Sequence, residues 1–343
     1  MKVPFSTVAA EYIGFVVAFI ANICLIFLLL TQTKQKFGNY KYLMLCFAVW
    51  SLWYSFIDIM AQPAMYIYKN AFIVICASWF QYNRILSQVI IITYCTSYGL
   101  TVVLLAIHFV YRFIVICRRK YFCYFQFPLV FIWPTIFFGF GISWWCTIYF
   151  VLSVNETMNT YMRQIIFEIY DDDIRKLAYV GPLYYVVSEN GEINIEWPTC
   201  IAMVMVATSS TASLTIIVTL GYRIHKDMRR IKDMVAVKTR QLQTQLFHTL
   251  IVQTIVPIVF MFTPASILFL GPVFGLQLGG MANMTSICLA LYPALDPLVV
   301  MYFIRDFRKF ISSKVFGYTL VTSATTRTTT RTRNNTVVLN TTC

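Results

Sequence analysis

Residues 241–295 read QLQTQLFHTLIVQTIVPIVFMFTPASILFLGPVFGLQLGGMANMTSICLALYPAL, which is 55 residues without an Asp, Glu, Lys or Arg. A membrane-spanning helix needs roughly 20 mostly apolar residues, so this stretch is too long for one helix. Gly271-Pro272 and Gly279-Gly280 interrupt it, and such pairs mark turns. The stretch therefore predicts two membrane spans, near residues 246–270 and 281–303.

Five more stretches of membrane-spanning length precede this one, at residues 12–33, 42–68, 85–111, 121–155 and 197–222, and bring the predicted total to seven spans. Only 12% of the residues are charged and 59% are hydrophobic, whereas soluble domains are about a quarter charged. We therefore predict an all-α membrane protein, a seven-transmembrane helix bundle, and exclude a soluble nucleic-acid binder. A cleaved signal peptide is the alternative for the start, but Glu11 interrupts its apolar stretch.

The net charge of +13 is distributed unevenly along the chain. Segments that follow spans one, three, five and seven hold 21 of the 27 Lys and Arg residues. Cytoplasmic loops retain an excess of Lys and Arg. The N-terminus is therefore predicted to lie outside the cell and the C-terminus inside.

The longest predicted outer loop, residues 151–197, is acidic, with eight acids against three bases. Asn155-Glu156-Thr157 matches the glycosylation sequon, so Asn155 is a predicted glycosylation site. Asn190-Gly191 lies between two apolar segments and favours a β-hairpin with a type I′ turn, which would form a lid. An irregular loop is the alternative.

The polar side chains of span three recur every three or four residues. This pattern predicts a polar stripe along one face of the helix, which should face the bundle interior. Its outer half is aromatic and hydroxylic, which suits a small, weakly polar ligand. The alternative is that Tyr94 and Tyr98 are packing residues that hydrogen-bond across helices. The predicted ligand-binding residues, from several spans, are Asp58, Ser87, Ile91, Tyr94, Tyr98, Met203, Met261, Asn283 and Ser286.

Ionisable groups are costly inside a bilayer and usually face the bundle interior. Asp58 and Asp296 are predicted to differ in depth by about 10 Å, so they are not expected to pair directly. We expect His108 to form a hydrogen bond between helices rather than to act as a ligand or a switch. No His or Cys group has metal-ligand spacing and no protease motif is present, so we predict no metal, no cofactor and no enzyme activity. The sequence does not decide whether Cys76 and Cys200 form a disulfide.

Helix breaks are predicted from prolines within the spans, since proline removes a backbone hydrogen bond and lets a helix bend. Spans six and seven contain two prolines each, which suits a bundle that opens at its cytoplasmic end. A static broken helix is the alternative. The five prolines are Pro63, Pro257, Pro264, Pro293 and Pro297.

Several motifs together resemble the nematode Str-type chemoreceptors. They are Phe37-Gly38-Asn39-Tyr40-Lys41-Tyr42, His108-Phe109-Val110-Tyr111-Arg112, Gln253-Thr254-Ile255-Val256-Pro257, Leu291-Tyr292-Pro293-Ala294-Leu295-Asp296-Pro297 and Ile304-Arg305-Asp306-Phe307-Arg308-Lys309. The resemblance covers roughly residues 10–316.

The resemblance implies a GPCR-type odorant receptor at the plasma membrane, in the cilium of a chemosensory neuron. Tyr111-Arg112 matches an Asp-Arg-Tyr-type motif in which Tyr111 replaces the acid, and Asp296-Pro297 stands where rhodopsin-like receptors carry Asn-Pro. The residues predicted for activation and coupling to a heterotrimeric G protein are His108, Tyr111, Arg112, Arg229, Arg230, Asp296, Pro297 and Arg308.

The predicted domain division places the receptor domain at residues 1–316, with a short amphipathic helix at 305–316 on the lipid of the inner leaflet. The Thr-rich tail 317–343 is predicted to be disordered, a segment that arrestin and a receptor kinase could recognise. The predicted function is binding of a small-molecule odorant and activation of a G protein. The alternatives are a ligand-gated odorant channel, or a receptor for a peptide or a non-volatile pheromone.

Overall fold

The computed structural model describes residues 3–32, 40–188, 190–230 and 237–315, without the side chains of 229–230, 237–243 and 314–315. The elements in chain order are α1 (Phe5–Thr31), α2 (Tyr40–Ala61), β1 (Pro63–Tyr68), β2 (Ala71–Cys76), α3 (Arg84–Cys117), α4 (Ile132–Val151), α5 (Glu156–Tyr170), β3 (Tyr179–Val180), β4 (Tyr185–Val187), β5 (Ile193–Ile195), α6 (Trp197–Arg230), α7 (Val237–Pro257), α8 (Thr263–Leu270), α9 (Asn283–Phe303) and α10 (Arg305–Val315).

Seven helical spans in the described part are long and apolar enough to cross a membrane, as the sequence predicted. Span six consists of α7, a π-helical turn at Ile258–Phe262, and α8. The division of the domain at residue 316 falls where the described residues end, so it stays a prediction. The predicted disordered tail also lies outside the described residues.

Small residues let neighbouring helices approach closely, as is common in membrane bundles. A Cβ atom on Gly14 of α1 would lie 2.6 Å from the carbonyl oxygen of Ala290 in α9. A Cβ atom on Gly99 of α3 would overlap the ring of Trp144 in α4. The helix α3 is buried along most of its length and forms the centre of the bundle.

The predicted extent of span two is wrong at its outer end, because α2 ends at Ala61 rather than near Tyr68. Gln62 has a left-handed backbone (φ 43°), and Pro63 begins strand β1 instead of kinking a helix. Proline is tolerated at the first residue of a strand, where its missing N–H costs no ladder bond. The other four prolines lie within the helical spans.

A three-stranded antiparallel sheet, in the order β1-β2-β3, covers the outer end of the bundle. Its pairs include Met65 with Val74, and Val74 with Val180. Side chains alternate between the two faces of a strand. Met65, Phe72 and Val74 pack on the bundle side, whereas residues such as Ile73 pack against α5. The sheet is therefore buried on both faces.

The predicted β-hairpin in the long outer loop is confirmed, with Tyr185 opposite Ile195 and Val187 opposite Ile193. The predicted type I′ turn is wrong. The Ser188 N–H donates to the Glu192 carbonyl at 2.8 Å, a register that does not fit a two-residue loop of Asn190 and Gly191; Gly191 has a φ of 80°. One left-handed glycine after a tight turn is the usual form of a three-residue hairpin loop.

Candidate functional site

An apolar cavity of about 80 Å³ lies under the β1-β2-β3 sheet, between the outer ends of the helices. One buried water occupies about 10–15 Å³ on the same scale, so the cavity has room for a molecule of several heavy atoms. Its lining is Met65, Phe72, Val74, Tyr94, Cys95, Tyr98, Trp144, Ile148, Leu152, Val180, Gly181, Pro182, Met203, Val206, Ala265, Leu268, Phe269, Thr285 and Leu289. The roof is formed by the sheet, not by the predicted lid of the Asn190-Gly191 hairpin.

Aromatic packing fixes the wall of the cavity between the sheet and α8. The ring of Phe269 stacks on Phe72 at 5.6 Å and meets Tyr98 edge-on at 6.5 Å. Above it, the Tyr184 hydroxyl donates to the Phe269 carbonyl at 2.7 Å. Burial raises the pKa of Tyr184, so this donor stays protonated at neutral pH.

Three of the nine predicted ligand-binding residues line this cavity: Tyr94, Tyr98 and Met203. The other six lie outside the lining. Ser87 and Ile91 are buried above it in α3, and Met261 is buried in the π-helical turn. Asn283 accepts the Met65 backbone N–H at 2.8 Å, a contact that fixes β1 to α9.

Asp58 lies behind the cavity wall, where it contacts the Tyr94 side chain. It is 2% exposed, and its Oδ1 makes no hydrogen bond to a described residue. The ring of Tyr54 lies 5.8 Å from that of Tyr94. Tyr94 therefore touches both the cavity and a buried polar cluster, which we define as Glu11, Tyr54, Asp58, Tyr94 and Ser286.

Glu11 belongs to this cluster although the sequence analysis places it just before span one, outside the predicted site. Glu11 is 1% exposed within α1, and the Ser286 hydroxyl lies 3.1 Å from its Oε1 and 2.8 Å from the Pro63 carbonyl. The signal was in the sequence: residues Thr7, Glu11, Gly14, Ala18 and Asn22 recur at helical spacing and form the buried face of α1.

Asp296 lies deeper in α9, where Gln253 of α7 donates to its Oδ2 at 3.3 Å. The Asp296 Oδ1 and the Tyr292 hydroxyl make no hydrogen bond to a described residue. Buried polar atoms of this kind usually hold ordered water. Pro297, the next residue, is buried in the same helix. The contact between Gln253 and Asp296 joins the helix below the π-helical turn to α9.

Arg112 is buried near the inner end of α3, with 1% of its surface exposed. Its guanidinium carbon lies 4.0 Å from the ring centroid of Tyr40, the first residue of α2. The Tyr40 ring in turn stacks on Tyr111 at 5.7 Å, and Tyr111 meets Phe125 edge-on at 4.9 Å. An aromatic face stabilises a desolvated cation by about 2 kcal/mol or more.

His108 lies one helical turn before Arg112 and is also buried. Its Nδ1 donates to the Leu104 carbonyl of its own helix at 2.9 Å, and its ring meets Phe47 of α2 at 5.0 Å. His108, Tyr111 and Arg112 thus form one packed group with α2.

The other residues predicted for coupling lie apart from this group. Arg229 and Arg230 end α6, and their side chains are outside the described part of the chain. Arg308 is exposed on α10, with its guanidinium 5.8 Å from the ring centroid of Tyr302.

The thiols of Cys76 and Cys200 are both free, and each has its own neighbour. Cys76 contacts Ser78 and Cys200 donates to the Tyr184 carbonyl at 3.6 Å. The Asn155 side chain is exposed at the start of α5 and accepts the Met158 N–H at 2.7 Å. Among the described residues, no group of three or more His, Cys, Asp or Glu side chains is placed to hold a metal ion.

Comparison with known proteins gives concordant matches along the chain. The sequence profile of the serpentine type 7TM GPCR chemoreceptor Str family matches residues 7–312. Serpentine receptor class r-10 of Caenorhabditis briggsae is 32% identical over 88% of this chain and 87% of its own length. The protein of the same name from Caenorhabditis elegans is 32% identical over 90% of both. The crystal structure of squid rhodopsin has a similar fold, with a TM-score of 0.58 at 13% identity over 94% of this chain and 88% of that one.

Proposed function

The chain belongs to the Str family of serpentine seven-transmembrane GPCR chemoreceptors, and we propose that it binds a small neutral organic odorant and activates a heterotrimeric G protein. The observation that carries this proposal is the cavity under the outer sheet, which is apolar on nearly all sides. A charged or peptide ligand would lose its hydration there without compensating contacts.

The cavity wall supports a route by which a ligand changes the bundle. Ala265, Leu268 and Phe269 line the cavity and lie in α8, directly after the π-helical turn. Below that turn, Gln253 of α7 contacts Asp296 of α9. A ligand that packs better against one position of α8 shifts the population toward that position. We assign the hinge of this movement to the π-helical turn, since π-helical turns and prolines are the usual causes of helix kinks.

The inner end of the bundle is the proposed contact with the G protein. Arg112, the basic end of α6 and exposed Arg308 are the residues we assign to it. In the structure Arg112 is covered by Tyr40, which we interpret as the resting state. We further propose that the receptor works at the plasma membrane of a chemosensory neuron, in its cilium.

The proposal is tested by a ligand screen in heterologous cells with a G-protein readout. The panel contains small neutral organic molecules, small amines and short cationic peptides. We expect agonists among the neutral molecules alone. Agonism by peptides would contradict the cavity as the binding site, and a ligand-gated conductance in purified bilayers without G protein would replace the receptor proposal with a channel.

A further inference from the structure

A second apolar groove opens on the lipid-facing side of the bundle, between α2, α3 and the start of α4. Its volume is about 540 Å³, within the range of roughly 300–1,000 Å³ that is typical of ligand sites. Its lip is formed by exposed side chains such as Tyr42 and Phe138. The lining is Tyr42, Leu43, Cys46, Trp50, Leu104, Ile107, Tyr111, Phe125, Val130, Trp133, Pro134, Phe137 and Phe138.

The walls of this lipid-facing groove are mostly apolar. The Trp50 indole N–H donates to the Thr101 hydroxyl at 3.0 Å, and the Trp133 indole N–H donates to the Tyr124 carbonyl at 3.0 Å. Both donors are thus satisfied within the protein. The aromatic rings that remain suit a hydrocarbon chain, which needs apolar contact and no hydrogen bond.

Basic residues adjoin the elements that line this groove, on α2 and in the 3₁₀ segment after α3. The Lys41 ammonium lies 5.0 Å from the ring centroid of Tyr42, a lining residue. Arg119 and Lys120 are exposed at the start of the 3₁₀ segment Arg119–Phe125, whose last residue lines the groove. The apolar groove is therefore lined by elements that also carry exposed basic residues, which we call its basic rim.

We propose that this groove binds an acidic phospholipid of the inner leaflet. One acyl chain lies in the groove, and the phosphate lies between Lys41, Arg119 and Lys120. The cytoplasmic leaflet is the anionic one, and basic side chains next to the membrane attract its headgroups. A sterol would fill the walls but leave the rim unused, so charge complementarity selects the phospholipid.

The proposed lipid also touches the packing around Arg112. Tyr111 lines the groove and stacks on Tyr40, which covers the Arg112 guanidinium. An occupied groove supports Tyr111 from the membrane side. The lipid is therefore an integral part of the inner end of the receptor.

The test is native mass spectrometry of the full-length receptor from nanodiscs of phosphatidylcholine with or without phosphatidylserine. We expect retained phosphatidylserine on the unmodified receptor, and roughly tenfold weaker retention in an Arg119→Gln/Lys120→Gln variant. The matched control is Arg223→Gln/Lys226→Gln, which removes the same charge from exposed positions on α6. Retention in that control should equal the unmodified receptor.

A second pair of variants separates the groove from the basic rim. Cys46→Trp fills the groove at an exposed lining residue and should abolish retention, whereas Cys24→Trp, exposed on α1, should not. If circular dichroism shows that the Cys46→Trp variant does not fold, Cys46→Phe is used in its place. Equal loss in both charge variants, unchanged retention in the filled groove, or displacement of phosphatidylserine by added sterol would each overturn the proposal.

Discussion

Arg112 carries a positive charge where the bilayer supplies no water to solvate it. The ring of Tyr40 contributes its negative face at 4.0 Å, and Tyr111 holds that ring from the other side. Tyr111 stands where related motifs place an acid, and its ring packs against the Tyr40 ring that covers Arg112. Such a contact depends on the ring and not on the hydroxyl of Tyr40.

This dependence predicts the effects of two substitutions at residue 40. Tyr40→Leu should raise ligand-independent G-protein activity roughly thirtyfold, because it removes about 2 kcal/mol that holds Arg112 in the proposed resting position. Tyr40→Phe keeps the ring and should leave basal activity unchanged. Basal nucleotide exchange, normalised to surface expression, is the measurement. Equal activity in the two variants would contradict the aromatic restraint.

The ring of Tyr94 lines the apolar cavity, and its hydroxyl lies behind the wall next to Asp58. This buried contact with Asp58 helps to fix the ring of Tyr94 in the cavity wall. Tyr94→Phe should lower agonist potency by about 0.5–1.5 kcal/mol, or roughly two- to tenfold, with the ring and the fold retained. Tyr149→Phe, on an exposed face of α4, is the control. A dose–response curve unmoved by Tyr94→Phe would remove the hydroxyl from the site.

Sequence periodicity located Tyr94, Tyr98 and the buried position of Arg112, because these follow from the face of a single helix. It missed the partners of those residues. The contact of Arg112 with Tyr40 depends on how α2 packs against α3, and no repeat within either helix encodes that. Glu11 was misplaced because a charge so near the N-terminus was taken to mark the end of the span.

At the scale of elements, the outer sheet and α5 are the features that the sequence reasoning did not anticipate. The strands β1 and β2 are buried on both faces, so each of them reads as a short continuous apolar run. When such a run follows an apolar helix, the sequence pattern does not distinguish a strand from a continuation of the helix. The β4–β5 hairpin was predictable because Gly191 and the short strands carry their own local signal.

The contact between α3 and α4 predicts the effect of a methyl group at Gly99. Gly99→Ala would drive the Trp144 ring toward the cavity that it lines. Overpacking of this kind costs about 1–3 kcal/mol, so agonist potency should fall roughly tenfold. Gly139→Ala is the matched control, because a Cβ atom at Gly139 would have no neighbouring atom within 4 Å. A potency loss shared by both variants would point to helix propensity instead.

The start of α5 predicts that Asn155 has two separable roles. Its side chain caps the helix, and its sequon is available for glycosylation if the loop lies outside. Thr157→Ala should remove the glycan without changing stability. Asn155→Ala should remove the glycan and also lower the stability of the outer cap by about 1 kcal/mol. A glycosidase mobility shift and a thermal melt of the purified receptor measure the two effects. A receptor without any glycan would contradict the predicted role of Asn155.

At the scale of the whole molecule, the span count was predictable because each span is an apolar run of membrane-spanning length. The orientation was also predictable, because it follows from how Lys and Arg are distributed among the loops. The cavity was not predictable, because its roof comes from β1, β2 and residues 180–182, far apart in the chain. In the function that we propose, the ligand and the G protein act at opposite ends of one continuous bundle.

The most direct test of the account compares two substitutions two residues apart on α6. Met203 lines the cavity and is 7% exposed, whereas Met205 faces outward and is 51% exposed. The measurement is the agonist dose–response of G-protein activation at equal surface expression. Met203→Trp should fill the cavity and shift potency by roughly tenfold or more, while Met205→Trp should match the unmodified receptor. Equal responses in the two variants would show that the agonist does not bind in this cavity.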